Sequence, residues 1–324
     1  MTHRGAISTL MSWHFGLRVL DVMGLGPVPY VDKNNQPYQP CQLVSVPFFH
    51  VSGTHGGLLL ALWSGTKLVI MKKWDPPEAV RLIELEKVSR FGGVPTMAAE
   101  ILGEAKKVGA KLESIRLIDT GGAARPADQA REMAESIPNV LTGTSYGMTE
   151  TNALGIAIRG KEYLENPEVT GRLIAPLAEM RIVDEFDNDV EIGNVGELVL
   201  KSAANMRCYL NKDAETSEVL KDGWLYTGDL AKIDKNELIT LVDRKKNIII
   251  RGGENISAQE VQTVILEHPD VIEAAIFALP NERLGEIVGA CVFCGETSNA
   301  DEDSLKEFLS CLLYTSPSPR DLRL

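Results

Sequence analysis

The run Ser145-Tyr146-Gly147-Met148-Thr149-Glu150 gathers an aromatic ring, aliphatic hydroxyls and a carboxylate into one short stretch, and Asp222-Gly223-Trp224-Leu225-Tyr226-Thr227-Gly228-Asp229 farther along ends in a second carboxylate. A ring buries well against the flat face of a base. Hydroxyls and a carboxylate suit phosphate oxygens and a hard divalent cation, and a second carboxylate can accept from both vicinal hydroxyls of a sugar. These residue types are what a nucleotide site needs.

Two further motifs follow, Asp243-Arg244-Lys245-Lys246 and Arg251-Gly252-Gly253-Glu254-Asn255. In order and spacing the set resembles the adenylate-forming superfamily of AMP-binding enzymes: acyl-CoA synthetases, luciferases and peptide-synthetase adenylation domains. The resemblance covers roughly residues 1–310. It implies an ATP-dependent acyl-CoA ligase, in which a carboxylic or fatty acid and ATP give an acyl-adenylate and CoA then displaces AMP. ATP, Mg²⁺ and CoA are the implied cofactors and co-substrates.

By the same resemblance Glu150 is the Mg²⁺ ligand and Thr149 the hydroxyl on phosphate. Tyr146, followed by Gly147, forms one wall of the adenine slot, and Gly121-Gly122-Ala123 forms the other. Asp229 takes the ribose hydroxyls with Arg244 assisting, and His50 lies between the acyl tunnel and the adenylate. Lys246 is the hinge of a rotating small domain, and Gly252, Gly253 and Glu254 line the CoA channel. Each also has a plainer reading. Thr149-Glu150 suits a helix start, Tyr146 a core position and Gly121-Gly122 a turn. Asp229 suits a turn acid after a strand, His50 beside Phe48 and Phe49 a packed ring, and Arg244-Lys245-Lys246 a solvated face. Trp224 reads as structural. An adenylation domain loading a carrier protein and an inactive nucleotide-binding fragment are the alternative functions. A dinucleotide oxidoreductase would need a G-x-G-x-x-G after a strand, which is lacking. The acid itself is not legible.

The elements that must position these residues follow from periodicity. Residues 67–71 read as a buried strand, Pro76-Pro77-Glu78 opens a helix with Val80, Ile83 and Leu85 as its apolar positions, and residues 116–120 form a strand ending at Gly121-Gly122. A helix then runs from Pro126 to Ile137. This alternation predicts a parallel sheet with its ligand crevice at the carboxyl ends of the strands. Residues 171–239 shift to short alternating segments at 180–183, 196–200 and 237–241, predicting an antiparallel, barrel-like subdomain.

A strand at 247–250 opens a second unit, followed by a Ser257 to Glu260 capping box. A helical stripe of Val261, Val264, Ile265 and His268 comes next, then strands at 274–279 and 287–293. The expected fold is α/β: a large, incomplete N-terminal AMP-binding domain over 1–242 and a small, mobile, partial α+β C-terminal domain over 243–310. Residues 311–324, with Ser316-Pro317-Ser318-Pro319, read as a non-native tail. The resemblance also places a phosphate-wrapping loop just before Thr2-His3 and a catalytic lysine beyond the small domain.

With 33 basic and 45 acidic residues the net charge is −12, which opposes nucleic acid and anionic lipid as partners. Five scattered cysteines suit a reducing, cytoplasmic setting. Cys291 and Cys294 lie in an apolar run and read as core packing rather than a metal pair. No apolar stretch is long enough to span a bilayer. Oligomeric state is not legible.

Overall fold

In the computed structural model, the described residues are 1–122, 127–174, 178–252, 254–294 and 300–312. Short β-branched and apolar runs form β1 (Cys41–Val44), β2 (Lys67–Ile70), β3 (Arg90–Gly93), β4 (Leu117–Gly121) and β5 (Leu141–Tyr146). These pair in parallel. The strands β6 (Ile156–Arg159) and β7 (Arg172–Leu173) extend the sheet antiparallel, giving the order β2-β1-β3-β4-β5-β6-β7.

Helices Pro76–Glu86 and Pro95–Val108 bury Ile83 and Ile101 in one cluster with Leu43, Phe91 and Ile118 of the sheet. Proline stands in the first turn of both, where its missing N–H costs nothing. Asp75 caps the first by accepting from Glu78 N at 3.0 Å. The expected apolar stripe needs one correction: Val80 and Ile83 are buried, but Leu85 is 60% exposed. Two residues beyond Ile83 turn the helix by about 200°, so Ala79 completes the buried face instead.

Parallel strands open their carboxyl ends on one edge, where α/β sheets hold ligands. The segments carrying His50, Gly121-Gly122 and Tyr146-Gly147 leave from that edge, after β1, β4 and β5. The register that aligns them contains a cross-strand lock: Asp119, Gly143 and Arg159 stand side by side on β4, β5 and β6. Arg159 reaches over Gly143 to place Nε 2.9 Å from Asp119 Oδ1 and Nη2 2.8 Å from Oδ2. A Cβ at Gly143 would lie 2.5 Å from Arg159 Cγ and 2.6 Å from Asp119 Oδ1. Glycine is therefore required where the fork crosses.

A second sheet comprises β8 (Ala178–Val183), β9 (Gly196–Ser202), β10 (Leu220–Lys221), β11 (Trp224–Ile233) and β12 (Ile239–Arg244), in the order β10-β11-β9-β8 with β12 also on β11. The expected segments at 180–183, 196–200 and 237–241 correspond to β8, β9 and β12. The strand β11 runs farther than expected and places Asp229 inside a strand rather than in a turn after one.

By compactness the chain divides into one unit of residues 1–181, 199–226 and 233–240 and another of 182–198, 227–232 and 241–324. The second unit has its own four-stranded sheet, order β14-β13-β16-β15, from β13 (Ile248–Arg251), β14 (Glu254–Ser257), β15 (Val271–Asn281) and β16 (Gly285–Cys294). Helices Ala258–Ile265 and Glu302–Leu312 cover it, burying Val261, Ile265 and Leu309 on Ile249 and Val288. Ser257 caps the first of these by accepting from Glu260 N at 3.1 Å. The second anchor is Asp243, which accepts from Ser257 Oγ at 2.6 Å and Gln259 N at 3.0 Å. That helix ends before His268, whose ring meets the edge of Phe308. Cys291 is exposed, which corrects the core-packing expectation. Residues three apart on a strand point to opposite faces, so Cys291 and Cys294 cannot share one ion. Of the expected tail, 311–324, residues 311 and 312 close the helix Glu302–Leu312 and residues 313–324 lie outside the described residues.

Removing one partner of the Asp119 and Arg159 fork strands the other charge. Asp119→Ala is expected to lower stability by about 3 kcal/mol, and Gly143→Val to destabilise as well, both read from the urea unfolding midpoint.

Candidate functional site

After β5 the chain reverses within a few residues, and glycine makes the reversal possible. A Cβ at Gly147 would come 2.5 Å from the Ala153 carbonyl oxygen, and one at Gly121 would come 2.7 Å from that of Ser145. Thr149–Thr151 then forms a single 3₁₀ turn, closed by Asn152 in the left-handed region at φ 53°. Thr151 Oγ1 steadies it by accepting from Met148 N at 3.3 Å and donating to Met148 O at 3.1 Å.

Asn152 is fully buried. Its Oδ1 lies 3.1 Å from His55 Nε2, and its Nδ2 donates to the Ala204 carbonyl at 2.6 Å. An amide oxygen only accepts, so His55 Nε2 carries the proton. Burial pushes the His55 pKa below its ordinary 6.5 and keeps the ring neutral. The N-terminal helix His3–Val22, capped by Thr2, enters beside this amide. A Cβ at Gly5 would be 2.8 Å from Asn152 Nδ2.

Glu150 is half-buried, with Oε1 accepting from the Tyr209 hydroxyl at 2.8 Å and its backbone carbonyl accepting from Met206 N at 2.6 Å. Burial, and then the hydrogen bond and charge of Glu150, push the Tyr209 pKa up to about 12, so the phenol stays a donor at working pH. Thr149 is exposed and Tyr146 half-buried at the end of β5. Among the described residues no group of three or more His, Cys, Asp or Glu could hold a metal by itself. A single placed carboxylate nevertheless fits Mg²⁺, which keeps waters and substrate phosphates as most of its ligands.

In the second unit Asp229 is buried at 7% exposure, with Oδ1 3.2 Å from Arg244 Nε. Its backbone N donates to Thr227 Oγ1 at 3.1 Å, and that hydroxyl donates to Leu198 O at 2.7 Å. Gly228, at φ 72°, donates its N–H to Glu197 Oε1 at 3.1 Å. Lys245 Nζ meets the other oxygen of Glu197 at 3.0 Å. Lys246 lies exposed in the 3₁₀ turn Lys245–Asn247 between β12 and β13. Gly252, at φ 60°, begins the turn between β13 and β14.

The structure therefore brings Tyr146, Gly147, Thr149 and Glu150 onto one turn, sets Gly121 against Ser145, and pairs Asp229 with Arg244. Ala123, Gly253 and the side chain of Glu254 lie outside the described residues. His50 is exposed, its ring against that of Phe49 at 4.6 Å between centroids. The histidine built into the motif is His55, which sequence reasoning passed over. Tyr209 and Glu197 were missed too. The signal for Glu197 was a carboxylate beside the apolar run Leu198-Val199-Leu200 of β9.

The model of the AMP-binding enzyme family matches residues 1–210. The chain belongs to that family. It is 31% identical over 280 residues to a feruloyl-CoA synthase of Amycolatopsis sp, covering 86% of this chain and 56% of the relative. It is 33% identical over 265 residues to the 4-coumarate–CoA ligase-like protein 6 of Arabidopsis thaliana, with 81% and 47% covered. It therefore spans about half the length of these relatives. Among solved structures it resembles the o-succinylbenzoate CoA synthetase of Bacillus subtilis in complex with ATP and magnesium ion, at TM-score 0.82 and 25% identity, covering 99% of this chain and 62% of that one. The same synthetase with its acyl-adenylate intermediate matches at TM-score 0.81 and 25% identity, with 96% and 59% covered. No helix among the described residues is long and apolar enough to cross a membrane.

Asn152→Ala leaves His55 Nε2 and the Ala204 carbonyl buried without partners, and is expected to cost roughly 2–4 kcal/mol in urea unfolding. The His55 shift adds a pH dependence. Below pH 6.5 the unfolded chain takes up a proton that the folded chain refuses, so stability present at neutral pH falls with pH. His55→Gln should make the decline of the unfolding midpoint between about pH 7 and pH 5.5 shallower.

Proposed function

We propose that this polypeptide is the AMP-binding part of an ATP-dependent acyl-CoA ligase. The observation that carries the reading is the Glu150 carboxylate, fixed on a rigid turn at the carboxyl edge of the parallel sheet in a chain of the AMP-binding family. In the first half-reaction a carboxylate oxygen of the acid attacks the α-phosphorus of ATP, and the bond to pyrophosphate breaks. In the second, the CoA thiolate attacks the acyl carbon, and the bond to AMP breaks. Neither step needs a protein nucleophile, so the work of the chain is placement and charge compensation.

Tyr146 offers its face to adenine, with the backbone of Gly121 and Gly122 on the other side. Thr149 donates to a phosphate oxygen. Asp229, held by Arg244, accepts from the ribose hydroxyls. Glu150 would hold Mg²⁺, which when bound neutralises charge spreading over the phosphates. Lys246 is the hinge residue, Gly252, Gly253 and Glu254 meet the pantetheine arm of CoA, and His50 lies on the acyl side. The names of the relatives, feruloyl-, 4-coumarate- and indoleacetate-CoA enzymes beside a long-chain-fatty-acid ligase of Bacillus subtilis, favour CoA as the acceptor. They also define the panel of acids to assay.

A nonhydrolysable acyl-adenylate mimic should bind this chain in calorimetry, and Tyr146→Ala and Asp229→Ala should each weaken it about tenfold. Unchanged affinity in both variants would remove the nucleotide assignment. In a protein extended to the length of its relatives, Glu150→Gln should lower kcat for pyrophosphate exchange by about 100-fold.

A further inference from the structure

We infer that Tyr209 is a positioning residue that orients the Glu150 carboxylate for the metal of the metal–nucleotide complex, an inference that rests on the reading of Glu150 given above. The contact spans 59 positions of sequence, and it is one of a set. The segment after β9 holds the Glu150 to Asn152 turn at three points: the Ala204 carbonyl accepts from Asn152 Nδ2, Met206 N donates to the Glu150 carbonyl, and the Tyr209 hydroxyl donates to Glu150 Oε1.

Tyr209 is itself anchored. Its backbone N donates at 2.9 Å to Thr216 Oγ1 on helix Asp213–Val219, and that hydroxyl donates at 2.7 Å to Lys212 O. The phenol therefore reaches Glu150 from a braced backbone rather than from a loose loop.

The chemistry of the donor argues for this role over simple stabilisation. A glutamate has several rotatable bonds, and a carboxylate used as a ligand must be turned so that one oxygen faces the ion. A phenol on Oε1 restrains rotation of the group and would leave Oε2 for the ion. Its neutrality matters equally. A lysine or arginine at the same place would cancel the negative charge and compete with the cation, whereas a neutral hydroxyl orients the carboxylate without weakening its attraction for Mg²⁺. Partners of this kind, one bond removed from the ion, set ligand geometry, and their loss commonly costs 10-fold to 100-fold in metal affinity.

Tyr209→Phe keeps the ring and removes only the donor. The test is Mn²⁺ uptake by the complex of the chain with a methylene-bridged ATP analogue, followed by electron paramagnetic resonance, alongside calorimetric binding of the analogue without metal. Tyr209→Phe should weaken Mn²⁺ about tenfold while leaving metal-free analogue affinity within twofold. Thr216→Val, which loosens the brace without touching Glu150, should shift Mn²⁺ in the same direction by less.

Mn²⁺ affinity within twofold of the unsubstituted chain in both variants would overturn the inference. So would an equal loss of analogue affinity with and without metal, because that is the signature of a merely structural residue. Glu150→Gln separates the two levels: if Mn²⁺ uptake survives it, or if the unsubstituted chain adds nothing to the affinity of the free analogue for Mn²⁺, the ligand role of Glu150 fails first.

Discussion

The side-chain amide of Asn152 is the contact on which the first unit's motif rests. Buried polar groups are costly unless paired, and the amide has both ends engaged, by a ring nitrogen of His55 and the carbonyl of Ala204. Those partners come from segments far apart in the chain. Asn152 also requires a left-handed backbone, which asparagine tolerates better than most residues. The local turn and the tertiary clasp thus demand the same residue. The first turn of helix His3–Val22 can lie against the amide only because Gly5 has no side chain.

The second unit solves a similar problem with a charge. Glu197 takes a backbone N–H of Gly228 on one oxygen and the Lys245 ammonium on the other, tying the strand that carries Asp229 to the segment entering the small sheet. Asp243 does comparable work two positions before Lys245, gathering Ser257, Gln259 and the backbone of Arg244. Both Asp229 and Asp243 are buried, Asp229 against the Arg244 guanidinium and Asp243 against the backbone of its own fold.

Much of the architecture was readable because parallel strands and amphipathic helices leave strong periodic signals. The glycine pair at the end of β4 and the motif at the end of β5 could be placed on the sheet edge from spacing alone. What escaped notice was long-range or locally ambiguous. Strand β11 contains glycine, threonine and aspartate in a pattern that reads as a turn, and its pairing with neighbouring strands overrides that preference. Tyr209 and Glu197 act through partners distant in sequence, which no local window reveals. Leu85 was misassigned because hydrophobicity was counted without its angle on the helix. The exposure of Cys291 escaped notice because an apolar run does not show which face of its strand is covered.

The fork that crosses Gly143 carries a consequence for how this sheet tolerates mutation. Asp119, Gly143 and Arg159 sit on three strands, yet sterically and electrostatically they behave as one position. Any side chain on the middle strand displaces the guanidinium, and losing either charge orphans the other. Viable change there requires Asp119 and Arg159 to change together, and a side chain at Gly143 requires that both have already gone. Drift along this row should therefore be strongly epistatic, proceeding by concerted jumps or not at all.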